Sequence, residues 1–314
     1  MSGQDFVVDI DIGPGDKAWK QFREIVESEG WKSDDHSVME LTPILASTSS
    51  VVAKDKDGNF LGCVVWNEYD NIAFIGFYLL REELRGKGIG SVVWKRAIEK
   101  MPKDYTIGLR AVPEKTEMYR SGNTPVMGPT LNEFNVPWRQ ILDICKGHLS
   151  NKEVRAIRDL SSEEFDSFLD FDKKVTGKDR SDFLRRFYLD LPFTAGNILF
   201  DAHGQIVAVA GITPTSTKES HMFKLAPIYA DSLEDAFTAA SSLIEFAGAK
   251  DPEAVVLFHI LSGSRGEREI LPLLLSMNVP TRLTGVTLFS KEIQNPVDTN
   301  RVYIPHNNSG HYDT

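Results

Sequence analysis

The stretch FYLLREELRGKGIGSVVWKRAIEK, residues 77–100, runs from an apolar, strand-like segment through a basic turn into an amphipathic helix. The turn alternates glycine with other residues: Arg85-Gly86-Lys87-Gly88-Ile89-Gly90. A turn that needs one left-handed residue uses one glycine. Three in alternation clear the way for something that approaches the backbone closely. The helix that follows aims unpaired N–H groups and the positive end of its dipole at the same place, which suits an anion. Successive N–H groups from Lys87 to Ser91 form the concavity, and Arg85 and Lys87 add positive charge. Two nucleotide-loop spacings do not fit. A P-loop needs four residues between its first glycine and Gly-Lys-Ser/Thr, and a G-x-G-x-x-G loop has its third glycine one place later than here.

Composition bounds what such a loop serves. A chain of 314 residues exceeds what one compact core usually holds, so two domains of roughly 150 residues are expected. Hydrophobic residues make up 41% and charged ones 25%, as in ordinary globular proteins. With no stretch of about 18 apolar residues and no basic-apolar leader at the start, a soluble cytoplasmic protein without a membrane partner is expected. The net charge of −10 argues against a nucleic-acid partner and favours cationic ones. Cys63 and Cys145 lie in apolar runs and read as buried thiols of a reducing compartment. His203, His221, His259, His306 and His311 have no metal-ligand spacing with Cys or acidic partners, so no metal is expected.

An internal repeat sets the architecture. Asp55-Lys-Asp-Gly58-Asn-Phe-Leu-Gly-Cys-Val corresponds in character, position by position, to Asp201-Ala-His-Gly204-Gln-Ile-Val-Ala-Val-Ala, 146 residues later. Each is a polar turn with glycine that leads into a strand. The same offset lays Ala97-Ile98-Glu99 on Leu243-Ile244-Glu245. The N-terminal repeat reads as a helix over 16–29, strands at 51–53, 60–66 and 72–80, and a helix after the glycine loop that stops at Pro102. A strand at 106–111, a short helix at 114–120, a Pro- and Gly-rich loop over 121–137 and a strand at 139–146 complete it. The C-terminal repeat begins near Val154. Ser161 and Glu164 make a capping box before its first helix. A second helix follows, then strands at 197–200, 206–212 and 221–226, a helix over 233–248, a strand at 254–260, a helix at 267–277 and a strand at 285–289. The expected division is 1–149, 150–294 and a loose polar tail over 295–314.

The loop resembles the acyl-CoA pyrophosphate loop of the GNAT N-acetyltransferase superfamily, R/Q-x-x-G-x-G/A, and the resemblance extends over most of residues 16–146. It implies an α/β protein with a mixed sheet, built as two tandem GNAT folds, and acetyl-CoA as co-substrate. It also implies that the strand before the loop splays from its neighbour and binds the acyl thioester through its backbone. The cofactor-binding residues so implied are Leu80, Arg85, Gly86, Lys87, Gly88, Ile89, Gly90 and Ser91. Leu80 stands where the family usually has valine. Met118-Tyr119-Arg120-Ser121-Gly122 falls where the family has Leu-Tyr-x-x-x-Gly-Phe, so Tyr119 resembles the tyrosine that protonates the leaving thiolate. The glycine comes one residue early, and Pro113 and Thr116 replace the family's Asn and Ala.

An amine acceptor is protonated at neutral pH and must lose a proton before it attacks. Glu68 is either that base or a turn residue. Asp70 is a further acid at the same turn, and Tyr78 lies on the cleft strand as a substrate contact. No Cys or Ser nucleophile stands out, so direct attack in a ternary complex is the expected chemistry. In the C-terminal repeat the 146-residue offset replaces the glycine loop by Asp231-Ser-Leu-Glu234-Asp235-Ala236, and a separate alignment of Arg120-Ser121 with Leu275-Ser276 puts Leu274 in the place of Tyr119. That repeat is expected not to bind CoA and to shape the acceptor site. The run Gly177-Lys-Asp179-Arg180 resembles a signature of certain two-domain GNAT proteins. Asp179 and Arg180 are either substrate contacts at the cleft or a salt-bridged helix start. The function so read is acetyl transfer to a small-molecule or peptide amine. A non-catalytic acyl-CoA sensor and a protein lysine or N-terminal acetyltransferase remain as alternatives. Acceptor and oligomeric state are not legible.

Overall fold

The computed structural model describes residues 6–29, 36–215 and 221–306 of the chain. Its N-terminal repeat contains β1 (Phe6–Ile10), α1 (Lys17–Ser28), α2 (His36–Leu41), β2 (Thr48–Asp55), β3 (Phe60–Tyr69), β4 (Ile72–Leu80), α3 (Ile89–Lys100), β5 (Thr106–Ala111), α4 (Thr116–Arg120), β6 (Val126–Pro137) and α5 (Trp138–Lys146). The C-terminal repeat contains β7 (Val154–Ala156), α6 (Ser162–Thr176), α7 (Ser181–Arg185), β8 (Ala195–Phe200), β9 (Ile206–Pro214), β10 (Met222–Ala230), α8 (Leu233–Lys250), β11 (Val255–Leu261), α9 (Arg265–Ser276), β12 (Arg282–Phe289) and β13 (Val302–Ile304).

The repeat seen in the sequence is a repeat of hydrogen bonds. The Asp55 carboxylate accepts from the N–H groups of Asp57 (2.9 Å) and Asn59 (2.8 Å). Asp201 accepts from those of His203 and Gln205, both at 2.8 Å. Each turn closes through a left-handed glycine, Gly58 or Gly204. Local signals set the helix starts as well. Asp16 caps α1 through the Ala18 N–H, and the Ser161–Glu164 capping box opens α6.

The strands of the described residues form one sheet in the order β1-β2-β3-β4-β5-β12-β6-β11-β10-β9-β8-β7, with β13 added on β10. The parallel pairs β4–β5 and β10–β11 occupy corresponding places in the two repeats. Between them lie β12 and β6, in exchanged positions. β12, from the C-terminal end, pairs with β5, and β6 pairs with β11. Each repeat therefore completes its sheet with a strand of the other.

Three expectations change. Residues 126–137, read as loop, form β6, because it is paired on both sides. Pro129 is tolerated since the β6–β12 register breaks between Val286 and Leu288, a bulge where no ladder bond is required. Residues 139–146, read as a strand, lie in helix α5, whose Ile141, Leu142, Ile144 and Cys145 are buried. A short apolar run does not distinguish strand from helix by period alone. In the stretch read as loose tail, Val302, Tyr303 and Ile304 are buried in β13. Residues 307–314 of that tail lie outside the described residues.

Candidate functional site

The parallel pairing of β4 with β5 stops early. Ile72 to Ile75 face Thr106 to Leu109, while Gly76 to Leu80 have no partner in β5. On its other edge β4 stays paired with β3 along its whole length, with one register break: Val65 faces Phe77 and Trp66 faces Ile75, so Gly76 is bulged. The bulge shifts the alternation by one residue. Ala73 and Ile75 lie in the cluster under α3, and Tyr78 and Leu80 rejoin the same face beyond Gly76. The result is an open backbone edge with an aromatic and an aliphatic side chain beside it.

That edge leads through a short 3-10 turn (Glu82–Leu84) to the glycine loop. Gly86 (φ 79°) and Gly88 (φ 85°) both adopt left-handed backbone, which disfavours other residues. Gly88 is the N-cap of α3 and supplies no capping side chain, so the first-turn N–H groups of Ile89, Gly90 and Ser91 are left for an outside acceptor. Gly86, Lys87, Gly88 and Ser91 are exposed, and Ile89 and Gly90 are buried against β4. Gly90 is small for a different reason from Gly88. A Cβ there would strike the Tyr78 hydroxyl and approach Leu80 Cδ1 within 3.0 Å, whereas one on Gly88 would meet open space. Arg85 ion-pairs with Glu29 at the end of α1 and donates to the Leu80 carbonyl (3.4 Å). It braces the loop against α1 from the side.

Tyr119 stands on α4 with its ring 5.5 Å from that of Trp94 on α3. Burial, with a smaller effect of Tyr78, pushes its phenol up to about 12. It stays protonated at neutral pH. Burial also raises Tyr78. Glu68 is set apart from this group. It lies at the end of β3 opposite Ala73 and accepts a 2.8 Å hydrogen bond from the Trp66 indole. Tyr78 faces Val64, roughly 13 Å along β3 from Glu68 at strand spacing.

Asp70 and Asp179 are brought together: the Asp179 N–H donates to the Asp70 carboxylate at 3.2 Å and ties the β3–β4 turn to the C-terminal repeat. The Asp179 carboxylate accepts from the backbone N–H (3.1 Å) and hydroxyl (2.6 Å) of Ser181 at the start of α7. Arg180 is buried, with its Nε 3.0 Å from Asp172 and its guanidinium 3.5 Å from the Tyr229 hydroxyl. Both side chains are engaged in ion pairs within the C-terminal repeat, Asp179 with Lys173 and Arg180 with Asp172.

The corresponding gap in the C-terminal repeat is closed. β10 pairs with β11 only over Met222 to Lys224, and β13 lies against the free edge beyond, Ile304 opposite Ile228 and Val302 opposite Tyr229. The Ala230 N–H donates to the Arg301 carbonyl (2.9 Å), and the Tyr303 backbone fills the space beside Gly266 on α9. The helix start there is occupied from within. Ser232 caps α8 through Asp235 N–H, and the buried Asp235 carboxylate binds Lys152 Nζ at 2.7 Å.

Two members of the site escaped the sequence reading. Gly76 had a usable signal, an isolated glycine inside an apolar strand. Trp94 reads in the sequence only as part of an amphipathic helix, and the fold reveals that it borders the open edge. Among the described residues there is no cluster of metal-ligating side chains and no helix long and apolar enough to cross a membrane.

Comparison with known proteins agrees with this geometry. Residues 17–120 match the acetyltransferase (GNAT) family. An uncharacterised protein of Caenorhabditis elegans is 41% identical over 310 residues, 96% of each chain. A solved structure assigned as an acetyltransferase from Pyrococcus horikoshii superposes with a TM-score of 0.67 at 16% identity, covering 97% of this chain and 95% of the other. A tandem GNAT protein from the clavulanic acid biosynthesis pathway gives a TM-score of 0.61 at 11% identity, covering 92% and 100%.

Proposed function

Because the chain belongs to the GNAT acetyltransferase family, we propose that it transfers an acetyl group from acetyl-CoA to a primary amine, with one acyl-CoA site per chain. The observation that carries this reading is the open half of β4, from Gly76 to Leu80, running into the uncapped start of α3. An extended amide chain can pair with the free backbone edge while its pyrophosphate meets the first-turn N–H groups. The paired half of β4 ends at Ile75 and Leu109, buried together with Ala73 and Leu288, which favours a short acyl group.

The chemistry follows from the placement of groups. The neutral amine attacks the thioester carbonyl carbon, a C–N bond forms and the C–S bond breaks. Backbone N–H groups of the open edge stabilise charge developing on the carbonyl oxygen. The departing sulfur takes the Tyr119 phenol proton, and the proton released by the amine restores the phenol. No side chain stands out as the amine's base, and Glu68 serves better as the partner of Trp66. The C-terminal repeat, its gap filled by β13, acts as scaffold.

Calorimetry with CoA should give a stoichiometry of one. A screen of primary amines and peptides with acetyl-CoA should release thiol with at least one of them. Absence of CoA binding by the intact chain would overturn the proposal. Binding without turnover for any amine would favour an acyl-CoA sensor instead.

A further inference from the structure

Three aromatic rings from three elements line the open half of β4. Tyr78 and Trp94 have centroids 5.2 Å apart, and Trp94 and Tyr119 5.5 Å apart. All three are half-buried, so a continuous aromatic surface reaches solvent between the start of α3 and Tyr119. The row begins at the glycine loop, where the Tyr78 hydroxyl lies against Gly90, and ends at the phenol on α4. A row of partly exposed rings presents an apolar wall suited to an uncharged ligand segment. Between its pyrophosphate and its sulfur, an acyl-CoA is an uncharged chain of amides and methyl groups.

The row also bears on how Tyr119 is held. Helix α4 has five residues, and Glu117, Met118 and Arg120 on it are exposed. Its backbone is fixed by Thr124, whose N–H and hydroxyl donate to the Tyr119 carbonyl at 3.3 and 3.1 Å. Those bonds leave the direction of the phenol to its ring contacts. Among the ring contacts, the link from strand β4 to that phenol runs from Tyr78 through Trp94.

We propose that Trp94 is a positioning residue of the acyl transfer: it packs against the uncharged arm of acetyl-CoA and holds the Tyr119 phenol at the thioester sulfur. The inference rests on the acyl-CoA reading above. Its chemical contribution is made through Tyr119, and this predicts a specific pattern of coupling.

Titration of the full chain with acetyl-CoA should quench tryptophan fluorescence. In Trp94→Phe the quench should disappear while calorimetry still detects binding. With the amine that releases thiol fastest in the screen, Trp94→Leu should lower kcat by about 100-fold, the scale of a misplaced catalytic group. Trp94→Phe should recover most of that loss. Trp94→Leu combined with Tyr119→Phe should be no slower than Tyr119→Phe alone. If the losses multiply instead, or if Trp94→Phe keeps the full quench, Trp94 does not act as proposed. A parent chain that binds no acetyl-CoA would defeat the acyl-CoA reading and this inference together. A parent that binds and turns over, with Trp94→Leu equally fast, would defeat this inference alone.

Discussion

Replacing Gly88 by aspartate tests the anion nest most directly. Gly88 lies at φ 85° and ψ −13°, and an added Cβ there meets open space, so no packing is lost. The left-handed backbone costs a non-glycine residue about 1–2 kcal/mol, which Gly88→Ala would report by itself. The carboxylate adds a charge term. Two unit charges about 4 Å apart repel by about 1 kcal/mol in bulk water and about 4 kcal/mol at an effective dielectric of 20. The loop is exposed, so screening favours the lower end. Relative to Gly88→Ala, CoA affinity should fall by at least about fivefold and at most about 1000-fold. Calorimetric titration of the parent, Gly88→Ala and Gly88→Asp with CoA at two salt concentrations would measure it. The aspartate-specific loss should shrink as salt rises, and the melting temperatures of the two variants should agree closely. Equal CoA affinity of Gly88→Asp and the parent would refute the nest.

Three further outcomes follow from the same geometry. Tyr119→Phe should retain CoA affinity and slow turnover by about 100- to 10,000-fold, the usual share of a general acid, measured by thiol release at saturating substrates. Gly90→Ala should cost about 1–3 kcal/mol by overpacking against the Tyr78 hydroxyl, and Tyr78→Phe in the same chain should restore much of the lost melting temperature. Acid should weaken the centre of the sheet. Burial, against the pull of Glu133 3.7 Å away, lowers the His259 pKa from 6.5 to about 4, so His259 contributes stability that is present above pH 6.5 and lost as pH falls through 4. Glu133 is held at about 2, its burial outweighed by His259, Asn135 and Arg282, and its contribution disappears between about pH 4.5 and 2. Denaturant midpoints of His259→Gln should therefore vary less between pH 6.5 and 4 than those of the parent.

What the sequence made legible has a common physical basis. The capping box of α6, the Asp-Gly turns at 55–59 and 201–205 and the glycine loop are local devices, decided by residues within a few positions of one another. Tyr119 and the loop stand out as candidates because the chemistry proposed for them lies in residue types at short spacing. The misses depend on distant partners. β6 is a strand because β11 and β12 flank it, and β13 is ordered because β10 has a free edge to fill. The burial of Arg180 beside Asp172 and Tyr229 is likewise set by packing and cannot be read from the residues around it.

The exchanged strands also constrain how the protein is made. Arg282–Phe289 emerges well after the whole N-terminal repeat during synthesis, yet it is the neighbour of β5, which forms one wall of the open gap. The N-terminal repeat cannot finish its sheet while the ribosome is still translating the C-terminal one, so the site matures only once β12 has been made. Until then β5 and β6 present bare edges, the kind of surface that draws in other chains. A transcript truncated before residue 282 should yield an aggregating product instead of a working half-enzyme, and fusion of the two repeats protects the exchange by keeping β12 at high local concentration near its slot.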